Sequence, residues 1–523
     1  MAEKPWWGLG VICVAMFISA MDMTIVNVAL PDMSDDLDAG IGELQWVIDA
    51  FLVSLAGLLL VGSGLADRFG RRRVFLSGFV GFAAASALTA ASQTVGEVIG
   101  ARVLMGVAAS CVLPPALSLL AVLFPPELRP KALAVWSGVA GVGFALGPVV
   151  GGVIVDVADW RWVFLVNVPF VLVAAPLGLR WLPESRAPGT PPLDLRGVAL
   201  SIVALVGIVF ALIEGADAGW TSPVVLGAAA VGIAGGVAFF AVELHRTHPL
   251  FDVRVLARTR VAVGAFAILA GYVATFGMLF LLPQYAQYVQ DGSALAAGLE
   301  LAPFGLGVGA LGIASGRLVP RYGARVVLLA GLFTAAAGYI PLLFLSADSS
   351  AALVVLGTAI VGGGLGLSLA PATTVIMNDV GLEKAGDGAA VNQLARQIGG
   401  SLGVAVIGSV FAAIYAARIS GDARAPAAAR ESIEHASDVA LTLPRVARAD
   451  LLDHAVASFD VAARWGLAVC MGVLLVAGVT AAVGLSGGRR SQSHAPSSAG
   501  DVAFPSAAPS SRRDLTSSLR NAP

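Results

Sequence analysis

Two ionisable residues sit where an apolar chain can least accommodate them. Asp22 lies in Met21-Asp22-Met23-Thr24-Ile25-Val26-Asn27-Val28-Ala29-Leu30-Pro31, inside an apolar run from about residue 9 to 30. Counted from Trp7, it is about 22 Å along a helix. A carboxylate at that depth costs several kcal/mol unless it faces a cavity or is neutralised. It is therefore suited to carry a proton or to hold a cation. The competing reading is a carboxylate solvated near the boundary or bonded to a neighbouring helix. Asn27, one turn further on, can hydrogen-bond across helices or simply pack. Arg102 lies in Ala101-Arg102-Val103-Leu104-Met105-Gly106, within a second apolar run. A buried arginine must pair or reach water. It can bias the protonation of a membrane carboxylate, or it can snorkel to the interface.

Other patterns suit movement rather than binding. Gly62-Ser63-Gly64-Leu65-Ala66-Asp67-Arg68-Phe69-Gly70-Arg71-Arg72-Arg73 joins two long apolar runs by a very short turn. Its arginines resist crossing a membrane and hold the turn on the cytoplasmic side. Asp67 can bond the backbone donors and arginines of a helix end, so with Arg71 and Arg72 it forms a set that one conformation keeps and another breaks. Gly143, Gly147 and Gly151 recur every fourth residue in Gly143-Phe144-Ala145-Leu146-Gly147-Pro148-Val149-Val150-Gly151-Gly152. They form one helix face on which another helix can approach closely, and Pro148 removes a backbone donor and bends the helix. Asn392, Gln393 and Arg396 open a late apolar run and are placed at the inner mouth of a cavity. Asp49 and Glu300 fall near span ends on the outer side and read as interfacial carboxylates rather than as a second cation site. His245 and His248 occupy one connection, and two histidines alone make no zinc site.

The elements that must position these residues are membrane helices. Of 523 residues, 57% are hydrophobic and 13% charged, about half the charged share of a soluble domain. The net charge of −2 gives no bulk field for nucleic acid. Cys13, Cys111 and Cys470 all lie in apolar segments, with no disulfide or metal spacing. A span needs about 20 apolar residues. Spans are expected near 8–30, 43–65, 74–93, 97–122, 131–156, 162–182, 197–215, 224–243, 260–288, 294–319, 324–346, 351–377, 391–417 and 463–486. Arginine-rich connections alternate with acidic or neutral ones, which predicts both termini in the cytoplasm. Residues 418–462 read as a polar outer segment with short surface helices or a hairpin, and 487–523 as a disordered tail. The run Gly312 to Arg325 keeps the glycines and arginines of the turn at Asp67, with Pro320 in place of the carboxylate. Such an internal echo suggests two related halves around a central site.

Several of these strings resemble motifs of the major facilitator superfamily. The turn at Asp67 resembles its G-x-L-a-D-r-x-G-r-k loop, with Arg72 in place of lysine. The run from Gly143 to Gly152 resembles the g-x-x-x-G-P-x-x-G-G motif of its antiporters. The run at Asp22 is similar to l-D-x-T-i-V-N-v-A-L-P of the fourteen-span drug:proton antiporters, of the multidrug and antibiotic efflux kind, and Asn392 to Ala405 also resembles those exporters. Arg102 falls on the arginine of l-x-x-x-R-x-x-q-G-x-g, where the family implicates it in proton transfer. Met105 replaces the usual glutamine there and Ala108 a glycine, so no relay through a glutamine is available.

The resemblance implies an all-α integral membrane fold with about fourteen spans. It has two pseudo-symmetric six-helix bundles, 1–182 and 251–486, and two extra helices in 183–250. It also implies proton-coupled export of amphiphilic drugs, dyes or antibiotics from the cytoplasmic membrane. The expected partners are those substrates, protons and the lipid bilayer, with no nucleic acid, no cofactor and no metal, and the chain working as a monomer. A carrier of the same fold for one defined metabolite, lipid or siderophore remains open. A membrane scaffold would gain nothing from Asp22 and Arg102, and no His/Cys cluster or carboxylate pair points to an enzyme. No P-loop occurs to bind ATP.

Overall fold

Hydrocarbon offers the backbone no hydrogen-bond partners, so long apolar runs fold as helices. The structure, a computed structural model, describes residues 4–125, 127–186, 194–246, 252–346, 349–381, 384–420 and 432–486. In chain order the helices are α1 (Lys4–Leu37), α2 (Ile41–Phe69), α3 (Arg71–Ala91), α4 (Val95–Ser110), α5 (Leu113–Leu123) and α6 (Arg129–Val157). Then come α7 (Arg161–Leu165), α8 (Asn167–Trp181), α9 (Leu195–Asp217), α10 (Pro223–His245), α11 (Thr259–Gln284) and α12 (Ala294–Tyr322). The last are α13 (Ala324–Leu342), α14 (Ala351–Val380), α15 (Ala385–Ser420), α16 (Ile433–Leu441) and α17 (Arg445–Gly484). Among the described residues, fourteen helical stretches are long and apolar enough to cross a membrane.

Local chemistry sets the breaks. The fourth span, Val95–Leu123, is interrupted between α4 and α5, where Pro114 and Pro115 cannot donate to an unbroken helix. They are tolerated in the first turn of α5, where those donors would be unused. Gly70 turns the chain between α2 and α3 at φ +114, and Gly323 does the same between α12 and α13 at φ +83. Both values lie in the region that glycine alone visits readily. The two turns that echo one another in sequence thus share a backbone solution.

One boundary differs from the sequence expectation. The sequence places the last span from 463, but α17 begins at Arg445, so residues 445–462 of the segment expected to form separate surface elements extend that helix. The segment is alanine-rich and pairs its charges at helical spacing, with Arg464 Nη2 at 2.6 Å from Asp460 Oδ2. The short helix α16 is present as expected. Residues 421–431, His248 and the tail 487–523 lie outside the described residues.

The packing is organised around α6. It lies along α1 on one side and α12 on the other, while α2 packs on α4, α11 on α15 and α17, and α14 on α12 and α13. Helices α9 and α10 pack on each other, and α9 bridges α2 and α15. The face carrying the turn Arg68–Arg73 is called here the arginine face. Away from it, α6 and α12 meet backbone to backbone. A Cβ on Gly152 would lie 2.5 Å from the Ala294 carbonyl oxygen, and Cβ atoms on Gly298 and Gly305 would overlap Pro148 and Ala145. Towards the arginine face the same helices part, with nothing within 4 Å of Gly138 or Gly141 on α6, or of Gly309 or Gly316 on α12. A cleft therefore opens to the arginine face and is shut opposite.

Candidate functional site

Asp22 and Arg102 are partners. Arg102 Nη1 donates to Asp22 Oδ2 at 2.8 Å, and the two side chains are 2% and 0% exposed. Arg102 Nε donates to the Val47 carbonyl at 3.0 Å, which ties α4 to α2 as well as to α1. The guanidinium lies over the Phe51 ring, 4.6 Å from its centroid, with the Phe164 ring at 5.8 Å. Aromatic faces offer a desolvated cation an attraction that water cannot screen. Asp22 Oδ1 is buried with no hydrogen-bond partner among the described residues. Arg102 neither snorkels nor reaches an interface. Met105, at the position of the expected glutamine, turns its Sδ towards Arg102 Nη1 at 3.8 Å and accepts from Thr89 Oγ1 at 3.4 Å.

The glycine face of α6 brackets this pair. A Cβ on Gly143 would lie 2.6 Å from the Phe17 carbonyl oxygen, one on Gly151 would meet Ile25, and one on Gly147 would overlap Thr24 Oγ1. Thr24 Oγ1 lies 3.2 Å from the Phe144 carbonyl, so it can donate across the contact. Helix α1 is thus pressed against α6 over the turns that carry Asp22. Pro148 lies inside α6 next to that stripe, on the face towards α12, where its carbonyl lies against Gly298. Asn27 does not reach another helix through its amide nitrogen. Nδ2 donates to Met23 and Thr24 carbonyls of its own helix, both at 3.3 Å, and Oδ1 is buried without a partner among the described residues.

Asp49 corrects the sequence reading. It is not interfacial but 0% exposed, with both carboxylate oxygens lacking hydrogen bonds among the described residues. It stands two residues from Val47, on the side of α2 away from Arg102, where α2 meets α15. Gln45 is also fully buried there, against Gly408 of α15. Glu300 is half-buried, and its Oε2 is buried with no hydrogen-bond partner among the described residues.

The arginine turn is held by two carboxylates. Asp67 Oδ1 accepts from Arg71 Nε at 2.9 Å and Nη2 at 2.8 Å. Glu184, which the sequence reading passed over, accepts from the Arg72 backbone N–H at 3.2 Å and lies within 3.8 Å of the Arg72 and Arg73 side chains. Arg72 Nη1 also donates to the Leu182 carbonyl at 3.2 Å. Arg68 lies outside this set, over the ring of Phe69. Gly62 works as a close-packing residue, for a Cβ there would overlap the Ser110 carbonyl at the break between α4 and α5.

On α15, Asn392 Nδ2 donates to Thr373 Oγ1 of α14 at 2.6 Å. Arg396 donates through Nε to Asn392 Oδ1 at 3.0 Å and through Nη1 to Tyr272 Oη at 2.9 Å. Gln393 sits half-buried beside them.

The family model described as the Major Facilitator Superfamily matches residues 12–404. The chain belongs to the major facilitator superfamily. It is 38% identical over 446 residues to the puromycin resistance protein pur8 of Streptomyces alboniger, covering 84% of this chain and 88% of that protein. It is 32% identical over 465 residues to the multidrug efflux pump LfrA of Mycolicibacterium smegmatis (87% and 92% covered). Against the tetracenomycin C resistance and export protein of Streptomyces glaucescens the identity is 34% over 411 residues, with 78% and 76% covered. Among solved structures, a bacterial homologue of the human lysosomal transporter Spinster, inward-facing and unoccupied, superposes with a TM-score of 0.63. It covers 92% of this chain and 99% of that one at 16% identity, which supports the fold alone.

This facilitator is a multi-pass membrane transporter, not an enzyme. Its two most deeply buried charge systems stand on opposite sides of one helix, α2. The Asp22–Arg102 pair bonds the Val47 carbonyl on one side, and Asp49 faces α15 on the other.

Proposed function

We propose that this facilitator is a proton-coupled antiporter that exports amphiphilic drugs, dyes or antibiotics across the cytoplasmic membrane, with both termini in the cytoplasm. The observation that supports this most is the buried pair of Asp22 and Arg102 at 2.8 Å. A proton arriving on Asp22 removes its charge and leaves Arg102 with the Val47 carbonyl and two aromatic faces. An unpaired buried charge costs several kcal/mol, enough to drive repacking of α1 against α2 and α4. Helix α6 touches α1 through its glycine face and α12 through Pro148, so such repacking acts on the seam between the halves. In this reading 1–182 and 251–486 rock about that seam, with 183–250 alongside. The arginine face is cytoplasmic and the present cleft is loaded from inside. The turn at Asp67 and Glu184 stabilises one access state through its ion pairs. The names of the relatives support export of drugs and antibiotics.

The test is efflux from cells expressing the chain, using a panel of cationic, neutral and anionic dyes, with and without a protonophore, alongside Asp22→Asn. Protonophore-sensitive efflux that the variant loses is the expected result. Efflux intact in Asp22→Asn would overturn the mechanism. No efflux of any dye despite membrane expression would favour a carrier for one defined compound.

A further inference from the structure

Arg396 is a charged group in the cleft wall that lacks an acidic partner. It lies about 17 Å along α15 from Ala385, within the apolar stretch Gly386–Ser420 that is long enough to cross a membrane. Its side chain is half-buried. Gly399, one turn on, packs against Leu269 and Tyr272 of α11, and Gly400 faces Leu52 of α2 and Phe276 of α11. Arg396 therefore points between α11 and α2, into the space between the two halves rather than at lipid. Its held nitrogens go to neutral groups, Asn392 Oδ1 and Tyr272 Oη. Among the described residues, Nη2 makes no hydrogen bond and no carboxylate lies within ion-pair distance. Asp49, the acid on the facing helix, has both oxygens without hydrogen bonds and so does not pair with Arg396.

An aromatic row begins at the same point. The Arg396 guanidinium lies over the Tyr272 ring at 5.5 Å. Tyr272 stacks on Phe276 with centroids 6.2 Å apart and planes at 21°. Phe276 meets Phe144 of α6 edge-on at 6.5 Å, and Phe144 meets Phe304 of α12 at 5.9 Å. The row thus runs from the positive group to the α6–α12 seam.

We infer that Arg396 with Tyr272 forms the polar end of the substrate site and selects planar aromatic compounds bearing an anionic group, a carboxylate or phenolate. The anion accepts from Arg396 Nη2, and the ring system lies against the half-buried Tyr272, which the fully buried Phe276 backs. A guanidinium already oriented by Asn392 and Tyr272 binds such a group with little further ordering. A cationic compound of the same shape would meet like charge without compensation. The site deepens the export reading and rests on it for the direction of transport. Phe144 meets Phe304 of α12, so occupancy at Tyr272 is felt at the α6–α12 seam that must open.

The test is fluorescence anisotropy binding to detergent-purified full-length chain, with fluorescein as the anion, Nile red as the neutral probe and ethidium as the cation. Fluorescein is expected to bind about tenfold tighter than ethidium, the worth of one charge-assisted hydrogen bond. Arg396→Gln should remove that preference and leave Nile red unchanged, while Arg396→Lys restores part of it. Equal weakening of all three probes in Arg396→Gln would mean a structural role and overturn the assignment. So would preferred ethidium binding that is lost in Asp49→Asn. Binding is read without transport, so charge-selective binding in a chain that exports nothing would sink the export reading and leave this one standing.

Discussion

Gly298 of α12 lies against the carbonyl of Pro148 of α6, with no room between them for a methyl group. Gly298→Ala should therefore force the seam apart. Overpacking of this kind costs about 1–3 kcal/mol, so a lower apparent Tm and greater labelling of cysteines placed along the seam are expected. Gly141→Ala and Gly309→Ala, at positions with nothing within 4 Å, should leave stability within about 0.5 kcal/mol. If all three variants unfold alike, the seam is not what Gly298 serves.

The ion pair makes a second prediction. Asp22→Asn and Arg102→Met should each destabilise the protein by about 3–5 kcal/mol, because each leaves one buried group without its partner. The double variant should be less destabilised than the sum, since no lone charge remains. Apparent Tm values of the four proteins give the coupling directly. Strict additivity would show that the contact at 2.8 Å carries no energy.

Glu184 gives a third. It holds the Arg72 N–H and both neighbouring guanidinium groups, and its side chain is 25% exposed. Glu184→Ala should cost about 1 kcal/mol, reduced by solvent screening. Arg73→Ala, at a side chain 68% exposed, should be nearly silent in the same thermal assay. A reversal of that order would place the anchor of the turn elsewhere.

A pH prediction comes from outside the spans. Lys384 Nζ lies 2.6 Å from Asp252 Oδ2, and this bond holds the Asp252 carboxyl below its usual range, aided by the Arg254 backbone N–H. A depressed folded-state pKa contributes stability that is fully present above the unfolded value of about 3.9 and is lost as pH falls through the folded value. The Tm difference between the native chain and Asp252→Asn should thus be constant from pH 8 to about pH 5 and shrink below about pH 4. A difference that grows on acidification would contradict this sign.

Asp22 and Arg102 were legible singly, because a charge stands out in an apolar run. Their pairing was not, since 80 residues of separation along the chain say nothing of adjacency. The glycine stripe announced a close helix contact but not that α1 and α12 would be its two partners. Asp49 was misplaced because counting from the start of α2 measures depth along one helix, while its burial comes from α15, which begins only at Ala385. Glu184 was overlooked because a carboxylate in a polar connection is unremarkable until its neighbours are known. The early start of α17 escaped a hydropathy ruler, which registers apolarity but not the helix propensity of alanine.

The closed seam between α6 and α12 is built from main chain. Carbonyls of Ala294 and Pro148 meet glycines, so few side chains decide whether that face shuts. The cleft wall is the reverse case, where the side chains of Arg396 and Tyr272 set the surface. Gating and selectivity are thereby written in separate alphabets. Substitutions that retune what is carried can accumulate along the wall while the hinge between the halves is inherited unchanged.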